Sequence, residues 1–402
     1  MATTTRHPGA VVAVLGTAQT LSWASSYYLV AMLATPISLD LGIEAPTVFL
    51  GFSIALLVSA ATGPWAGRAI DRSGGRTVLM VTNLQFALAL AMLALASDAA
   101  TMFAAWALMG VAIGAGLYEA AFATLVRLYG RESRNAITGI TLIAGFASTV
   151  GWPLTAWMEA QWGWRGACWG WVVLHLAVGV PLNAWLPRSG SAAPDRPIGA
   201  AAASASAESP SVRPSRATGA LLALVFATGW FVSTSMAAHL PRVVQAAGAG
   251  LATAVLVGAL VGPSQVAGRL LEFGFLRRLH PLLAARAATL THPAAVAVLL
   301  IGGPALAPAF GILHGLGNGI MTIAMATLPL ALFGPEGYGA RQGWLMVPAR
   351  VLQAFAPFLF GLALDRWGAG ALAFSAAASG IGFVALLALS ARGATGRDAI
   401  GR

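Results

Sequence analysis

Twelve long apolar runs constrain this chain more than any other feature, each close to the roughly 20 residues a helix needs to cross the hydrocarbon of a bilayer. They span residues 11–38, 46–69, 77–96, 99–128, 135–158, 163–186, 217–247, 251–273, 281–301, 304–333, 343–364 and 370–391. In lipid a backbone must satisfy its own hydrogen bonds, so these runs predict an all-α membrane protein of twelve transmembrane helices. Composition agrees: 58% of residues are hydrophobic and 9% charged, against about 25% charged in soluble domains. The ninth run is the least regular, being interrupted by Arg286, His292 and Pro293. The first follows Arg6 and imitates a signal peptide, yet eleven more follow it, so a retained first helix is expected.

The formal net charge is +10, and all 23 basic residues are arginine. Such a balance fits either a nucleic-acid partner or membrane topology, and position decides between them. With both termini in the cytoplasm, Arg6, Arg68, Arg72, Arg76, Arg131, Arg134, Arg188, Arg196, Arg213, Arg216, Arg277, Arg278, Arg341, Arg392, Arg397 and Arg402 fall on that side. Only Arg165, Arg242 and Arg366 fall outside. That bias is the positive-inside rule, so the charge reads as topological and no nucleic-acid partner is expected. The expected setting is the inner (plasma) membrane of a bacterium, with the protein functional as a monomer in the lipid bilayer. The lone cysteine, Cys168, excludes a disulfide framework or a multi-cysteine metal site and reads as a small packed hydrophobe. The chain has no P-loop, no His-Glu-x-x-His and no Gly-x-Ser-x-Gly turn, so no enzyme, cofactor or metal is expected.

Residues 187–216 are rich in Ala, Ser, Pro and Gly, with four arginines, two acids and no aromatic residue. Nothing there can bury a core, and a flexible cytoplasmic linker is predicted. It divides the chain into a six-helix bundle at 1–186 and another at 217–402. Motifs recur half a chain length apart: Gly67, Arg68, Asp71 and Arg76 are matched by Gly268, Arg269, Glu272 and Arg277, and Gly110, Gly114 and Gly116 by Gly311, Gly315 and Gly317. Two six-helix halves related by an internal repeat are a construction typical of alternating-access transporters.

The loop Gly67-Arg68-Ala69-Ile70-Asp71-Arg72-Ser73-Gly74-Gly75-Arg76 resembles the signature loop of the major facilitator superfamily. The resemblance implies two bundles rocking about a central cavity. It makes Gly67, Asp71, Arg72 and Arg76, with Glu272 in the second half, gating residues. Asp71 is then expected to close the cytoplasmic side by meeting arginines or a helix N-terminus. Ala105-Trp106-Ala107 replaces the fourth-helix arginine of many proton-coupled drug antiporters, and Trp152-Pro153-Leu154-Thr155-Ala156 lacks the antiporter's closing glycine pair. A multidrug or metabolite efflux antiporter is therefore the alternative. The chain is nearer to the monocarboxylate and oxalate/formate branch, whose eighth and eleventh helices carry cations for a carboxylate. The matching positions are Arg269 and Arg350. Gln265 stands where monocarboxylate carriers have an aspartate, which argues against proton coupling there.

Ionisable residues inside spans are costly and hence functional candidates. Arg350 is the leading one, with a structural pair to Glu119 as the other reading. Arg269 can bind ligand or pair with Glu272 one turn on. Glu119, the carboxylate deepest in a run, is the proton-coupling candidate or else half of a fixed ion pair. His239, His314, Asn318 and Gln353 offer hydrogen bonds to a substrate or between helices. Tyr27 and Tyr28, near mid-run ahead of Pro36, suit a cavity-lining helix. The reading is a secondary active transporter of a small solute, an organic anion of monocarboxylate type, coupled to protons, to a counter-substrate or to neither. A membrane sensor using the same fold is the reading of a different class.

Overall fold

The structure is a computed structural model that describes residues 7–188 and 216–395. All but the ends of the expected linker lie outside the described residues, as do Arg6, Arg196, Arg213, Arg397 and Arg402. The described residues form helices and no strands. The first crossing is α1 (Pro8–Ser25) continued by α2 (Leu29–Leu41); α3 (Ala45–Ser73) and α4 (Gly75–Ala94) are the second and third. The fourth is α5 (Ala99–Gly116) continued by α6 (Tyr118–Tyr129). The fifth is α7 (Arg134–Ala144) with the first part of α8 (Ala147–Leu174). α8 turns back at Gly163, where φ is 69°, and with α9 (Val180–Trp185) completes the sixth. The second half is α10 (Arg216–Ala246), α11 (Leu251–Gly274), α12 (Pro281–Gly302), α13 (Ala307–Phe333), α14 (Tyr338–Trp367) and α15 (Ala371–Thr395). By continuous length and hydropathy eight stretches qualify as spans. Ala99–Trp185 holds three crossings and Tyr338–Leu389 two, while the broken first crossing does not qualify as one piece.

One hydrophobic core is built almost wholly from residues of the first six crossings, and two others from the last six. The repeat is visible in how helices touch. A Cβ at Gly110 would lie 2.4 Å from the Ala55 carbonyl oxygen, and one at Gly311 would lie 2.7 Å from the Val257 side chain. The same small residue thus lets α5 onto α3 and α13 onto α11. Large apolar side chains also face outward, among them Ile301, 88% exposed, and Leu39, 78% exposed, as contact with lipid chains requires. Trp157 and Trp162 are exposed and pack edge to face, in keeping with an interfacial belt.

One crossing is more regular than expected and one begins earlier, each for a physical reason. The ninth crossing is one continuous helix because its polar interruptions find partners, although Arg286 Nε is buried without one. Arg286 donates from Nη2 to the Leu386 carbonyl at 3.0 Å, and His292 meets His314 and Ser375. The eleventh begins at Tyr338 rather than 343, because its first turn is capped from the other half of the chain.

Candidate functional site

That cap is Asp71, in the last turn of α3. Its Oδ1 accepts the Gly339 N–H at 2.9 Å and its Oδ2 the Ala340 N–H at 2.8 Å. First-turn N–H groups have no acceptor within their own helix, and the helix dipole favours a carboxylate there. The approach requires small residues: a Cβ at Gly67 would lie 2.0 Å from the Gly339 carbonyl oxygen. Half a chain on, Glu272 in α11 meets α7. Its Oε1 accepts from Arg134 Nη2 at 2.7 Å and its Oε2 from the Thr138 hydroxyl at 3.4 Å. Arg134 also donates to the Leu279 carbonyl at 3.2 Å. The repeated acids therefore lock one bundle to the other twice, on the same face of the protein. Arg76 donates to the Leu186 carbonyl at 3.4 Å, within its own bundle, and Arg72 is exposed. At the opposite end the ion pairs Arg165–Asp40 and Arg242–Asp365 each join helices of a single bundle.

Between those ends three crossings of the first bundle break. The breaks fall after Ser25, at Leu117 and after Ala144, and the segments running from them to the helix ends hold 13, 12 and 11 residues. At about 1.5 Å per residue all three breaks sit roughly 16–20 Å from an end, which is mid-depth. Breaks at membrane depth are tolerated where protein or a cavity satisfies the backbone; Gln19 does so for the Gly116 carbonyl at 2.7 Å.

Arg350 faces these breaks from α14, about 18 Å from the start of that helix. Its Nη2 donates to both carboxylate oxygens of Glu119, at 3.0 and 3.2 Å, and its Nη1 to Gln353 Oε1 at 3.0 Å. Gln353 Nε2 donates to the Tyr27 hydroxyl at 3.0 Å, which lies 3.5 Å from the Thr234 hydroxyl. The guanidinium carbon stands 5.3 Å from the Trp230 ring centre. Arg350 and Glu119 side chains are 3% and 14% exposed, so in this state the cation is neutralised internally. Beside them is a cavity of about 10 Å³ lined by Ser59, Gly63, Gly114 and Gly343, room for about one water.

Arg269 has no such partner. It is 6% exposed, its Nε is buried without an acceptor, and its guanidinium makes no hydrogen bond or ion pair with a described residue. Sequence spacing offered Glu272 one turn away, but Glu272 turns to Arg134. The guanidinium reaches from α11 to the break between α7 and α8: a Cβ at Gly145 would lie 2.2 Å from Arg269 Nη1. Its charge is within electrostatic range of the Tyr28 and Tyr118 phenols. An unpaired buried cation costs several kcal/mol, so this position calls for an anion.

The other candidates fall elsewhere. His239 Nε2 donates to the Pro357 carbonyl at 2.7 Å. His314 meets His292, Nδ1 to Nδ1, at 3.1 Å within the second bundle. Asn318 is half-buried, one turn from His314. Tyr28 joins an aromatic cluster with Trp23, Tyr27 and Trp152. Sequence reasoning passed over Trp230, Thr234 and the lock partner Arg134. Only Arg134 left a signal, since the repeat requires a partner for Glu272 where Asp71 has one.

Residues 15–344 match the family model described as Major Facilitator Superfamily. A curated relative, the transcription regulatory protein OpdE of Pseudomonas aeruginosa, is 27% identical over 365 residues, covering 88% of this chain and 87% of that protein. Among solved structures, the human organic anion transporter MFSD10 (TETRAN) is similar with a TM-score of 0.65 and 16% identity, over 96% of this chain and 100% of that one. The E. coli fucose:proton symporter FucP gives a TM-score of 0.71 at 12% identity, over 94% of this chain and 98% of that one. At these identities the two structures speak for the fold.

Proposed function

The chain belongs to the Major Facilitator Superfamily, and from that premise we propose that it is a secondary active transporter moving a small organic anion by alternating access. The observation that carries the anion is Arg269, a guanidinium buried between the bundles with no protein acceptor. A guanidinium stays charged at physiological pH and offers a planar fork that fits a carboxylate. Arg350 adds a second cation, held by Glu119 and Gln353 until substrate competes for it. Tyr27 and Tyr28 line the approach from the first crossing. Among the sequence candidates His239 and His314 then serve as links between helices. This favours the monocarboxylate and oxalate/formate branch over an efflux antiporter.

Asp71 with Gly67, and Glu272 with Arg134, form the gate on the face that arginine distribution assigns to the cytoplasm. We take the bundles as 1–186 and 217–402, the linker as 187–216, and the setting as a bacterial inner membrane with both termini inside. The state described has that gate closed. Opening it breaks both locks together, while the pairs at the other end hold helices within each bundle. Glu119 is the candidate to take up a proton when an anion displaces it from Arg350.

The test is uptake or exchange of labelled carboxylates by purified protein in vesicles without ATP, preceded by a thermal-shift screen against carboxylates, cations, sugars and drugs. Carboxylate-specific stabilisation and movement are expected; movement of cations or sugars alone would overturn the anion. The relative named as a transcription regulatory protein favours one further reading, a membrane sensor on this fold. A sensor binds its ligand in the same screen and moves none across the vesicle wall.

A further inference from the structure

Near mid-depth several buried donors lack acceptors, while one buried acceptor, Gln19 Oε1, lacks a donor. The Arg269 guanidinium, the Trp23 indole N–H and the Trp230 indole N–H, which belongs to the ring beneath Arg350, all lack a partner. The surfaces between them are aromatic. Trp23 lies 5.2 Å from Tyr27 and 4.9 Å from Tyr118, ring centre to ring centre. Tyr27 is 5.7 Å from Tyr28 and 5.1 Å from Phe52. These rings come from the first, second and fourth crossings and gather at the level of the breaks after Ser25 and at Leu117. Tyr27 meets Gln353, the partner of Arg350, at 3.0 Å. A donor-rich centre selects a ligand rich in acceptors, and aromatic faces select one with a flat apolar body.

We propose that the substrate is an aromatic carboxylate, its carboxylate held by Arg269 and its ring packed against Trp23, Tyr27, Tyr28 and Tyr118. The proposal rests on the anion reading above and narrows it. A short aliphatic acid satisfies Arg269 but covers little of these rings. A ring tied to the carboxylate satisfies both surfaces at once, and the added buried apolar area translates into tighter binding by roughly tenfold or more. Gly145 is part of the site, because any side chain there occupies the space of the Arg269 guanidinium.

The experiment is calorimetric titration of the purified full chain with benzoate, acetate and benzyl alcohol, with ligand-observed saturation transfer to report contact with the benzoate ring. Benzoate should bind at least about tenfold more tightly than acetate, and benzyl alcohol should not bind measurably. Arg269→Gln and Gly145→Ala should each weaken benzoate by about tenfold or more. Trp23→Leu should lower benzoate affinity more than acetate affinity, with Trp23→Phe recovering part of the difference while keeping the packing of a ring. Equal affinity for benzoate and acetate overturns the aromatic assignment and leaves the anion reading standing. Benzyl alcohol binding as well as benzoate overturns both, as does failure of all three to bind to protein that unfolds cooperatively. If benzoate binds with full affinity in Arg269→Gln and Gly145→Ala, the site lies elsewhere and the proposal is wrong.

Discussion

Replacing Glu119 with glutamine removes the negative charge opposite Arg350 and leaves almost everything else in place. Arg350 is 3% exposed, so the charge left behind cannot turn to water. Removing one partner of a buried pair costs about 3–5 kcal/mol. The introduced amide oxygen can still accept one hydrogen bond from the charged guanidinium, returning about 1.5–3 kcal/mol, and Gln353 and the Trp230 ring keep their contacts with the guanidinium. The expected loss is about 1–3 kcal/mol, a fall in melting midpoint of roughly 2–12 °C. The assay is thermal unfolding in detergent at one fixed scan rate, since unfolding of such proteins is governed by rates. The same reasoning gives a sign for ligand effects. In Glu119→Gln the freed Arg350 accepts an added carboxylate, so benzoate should raise the midpoint more in the variant than in the native chain. An unchanged midpoint, or equal benzoate effects in both proteins, would show that Glu119 and Arg350 do not depend on each other.

Asp71→Asn keeps one acceptor of the two and loses the charge, weakening the α3–α14 lock by about 1.5–3 kcal/mol; insertion should be normal and vesicle transport slower, and a native rate would remove Asp71 from the gate. Gly67→Ala should do more damage, because its Cβ falls 2.0 Å from the Gly339 carbonyl oxygen and the helices must part; native stability in that variant contradicts the close approach. For the second lock, Arg134→Glu and Glu272→Arg should each slow transport, while the double reversal restores part of the rate, with a coupling of about 0.5–3 kcal/mol in stability; additive losses would separate the two residues. At the surface, the backbone N–H of Thr101 and then its hydroxyl hold the Asp98 carboxyl below its ordinary value of 3.8. Its folded value is depressed, so the cap stabilises α5 above the ordinary value and this contribution fades as pH falls through the lower folded one. Asp98→Asn should therefore show a smaller loss of stability on acidification, and identical acid limbs would contradict the assignment.

The helices were legible because lipid leaves the backbone few alternatives, so length and apolarity nearly suffice. The boundaries at 99, 251, 281 and 333 coincide with those of the structure. The sequence repeat also pointed to where the bundles touch, since its acids, Asp71 and Glu272, each meet a helix of the opposite bundle. What was hidden is pairing between helices distant in the chain. Glu272 sits one turn from Arg269, and spacing along a single helix made that pair natural; the fold instead offers Arg134 from across the bundle interface. The same limit put the start of the eleventh helix five residues late, since its cap is supplied by Asp71. Glu119 with Arg350 stood among the alternatives, yet nothing in either segment says that α6 and α14 meet at that depth.

On the proposed function, the repeat encodes a lock twice but a binding cation once. Arg68 and Arg269 occupy equivalent positions, one before each lock. Arg68 stays half-buried and lies over the exposed Trp65 ring at 4.3 Å, where water and headgroups can neutralise it. Arg269 is drawn inward because Gly145, at a helix break, leaves the volume its guanidinium fills. A lock needs only a carboxylate facing donors on the first turns of a helix, so it survives duplication with backbone N–H groups as donors to Asp71 and the side chains of Arg134 and Thr138 as donors to Glu272. A binding charge is useful only where protein does not already neutralise it, and two such charges in one small space repel each other at a cost that low dielectric magnifies. The structure avoids that cost by pairing Arg350 with Glu119 and leaving Arg269 open. Arg269 also lies one turn from Glu272, so an anion arriving there brings negative charge beside the carboxylate that holds the second lock. On the proposed function, ligand and gate act on one another through this single turn of α11, and a ligand shifts the bundles only by such a difference between states.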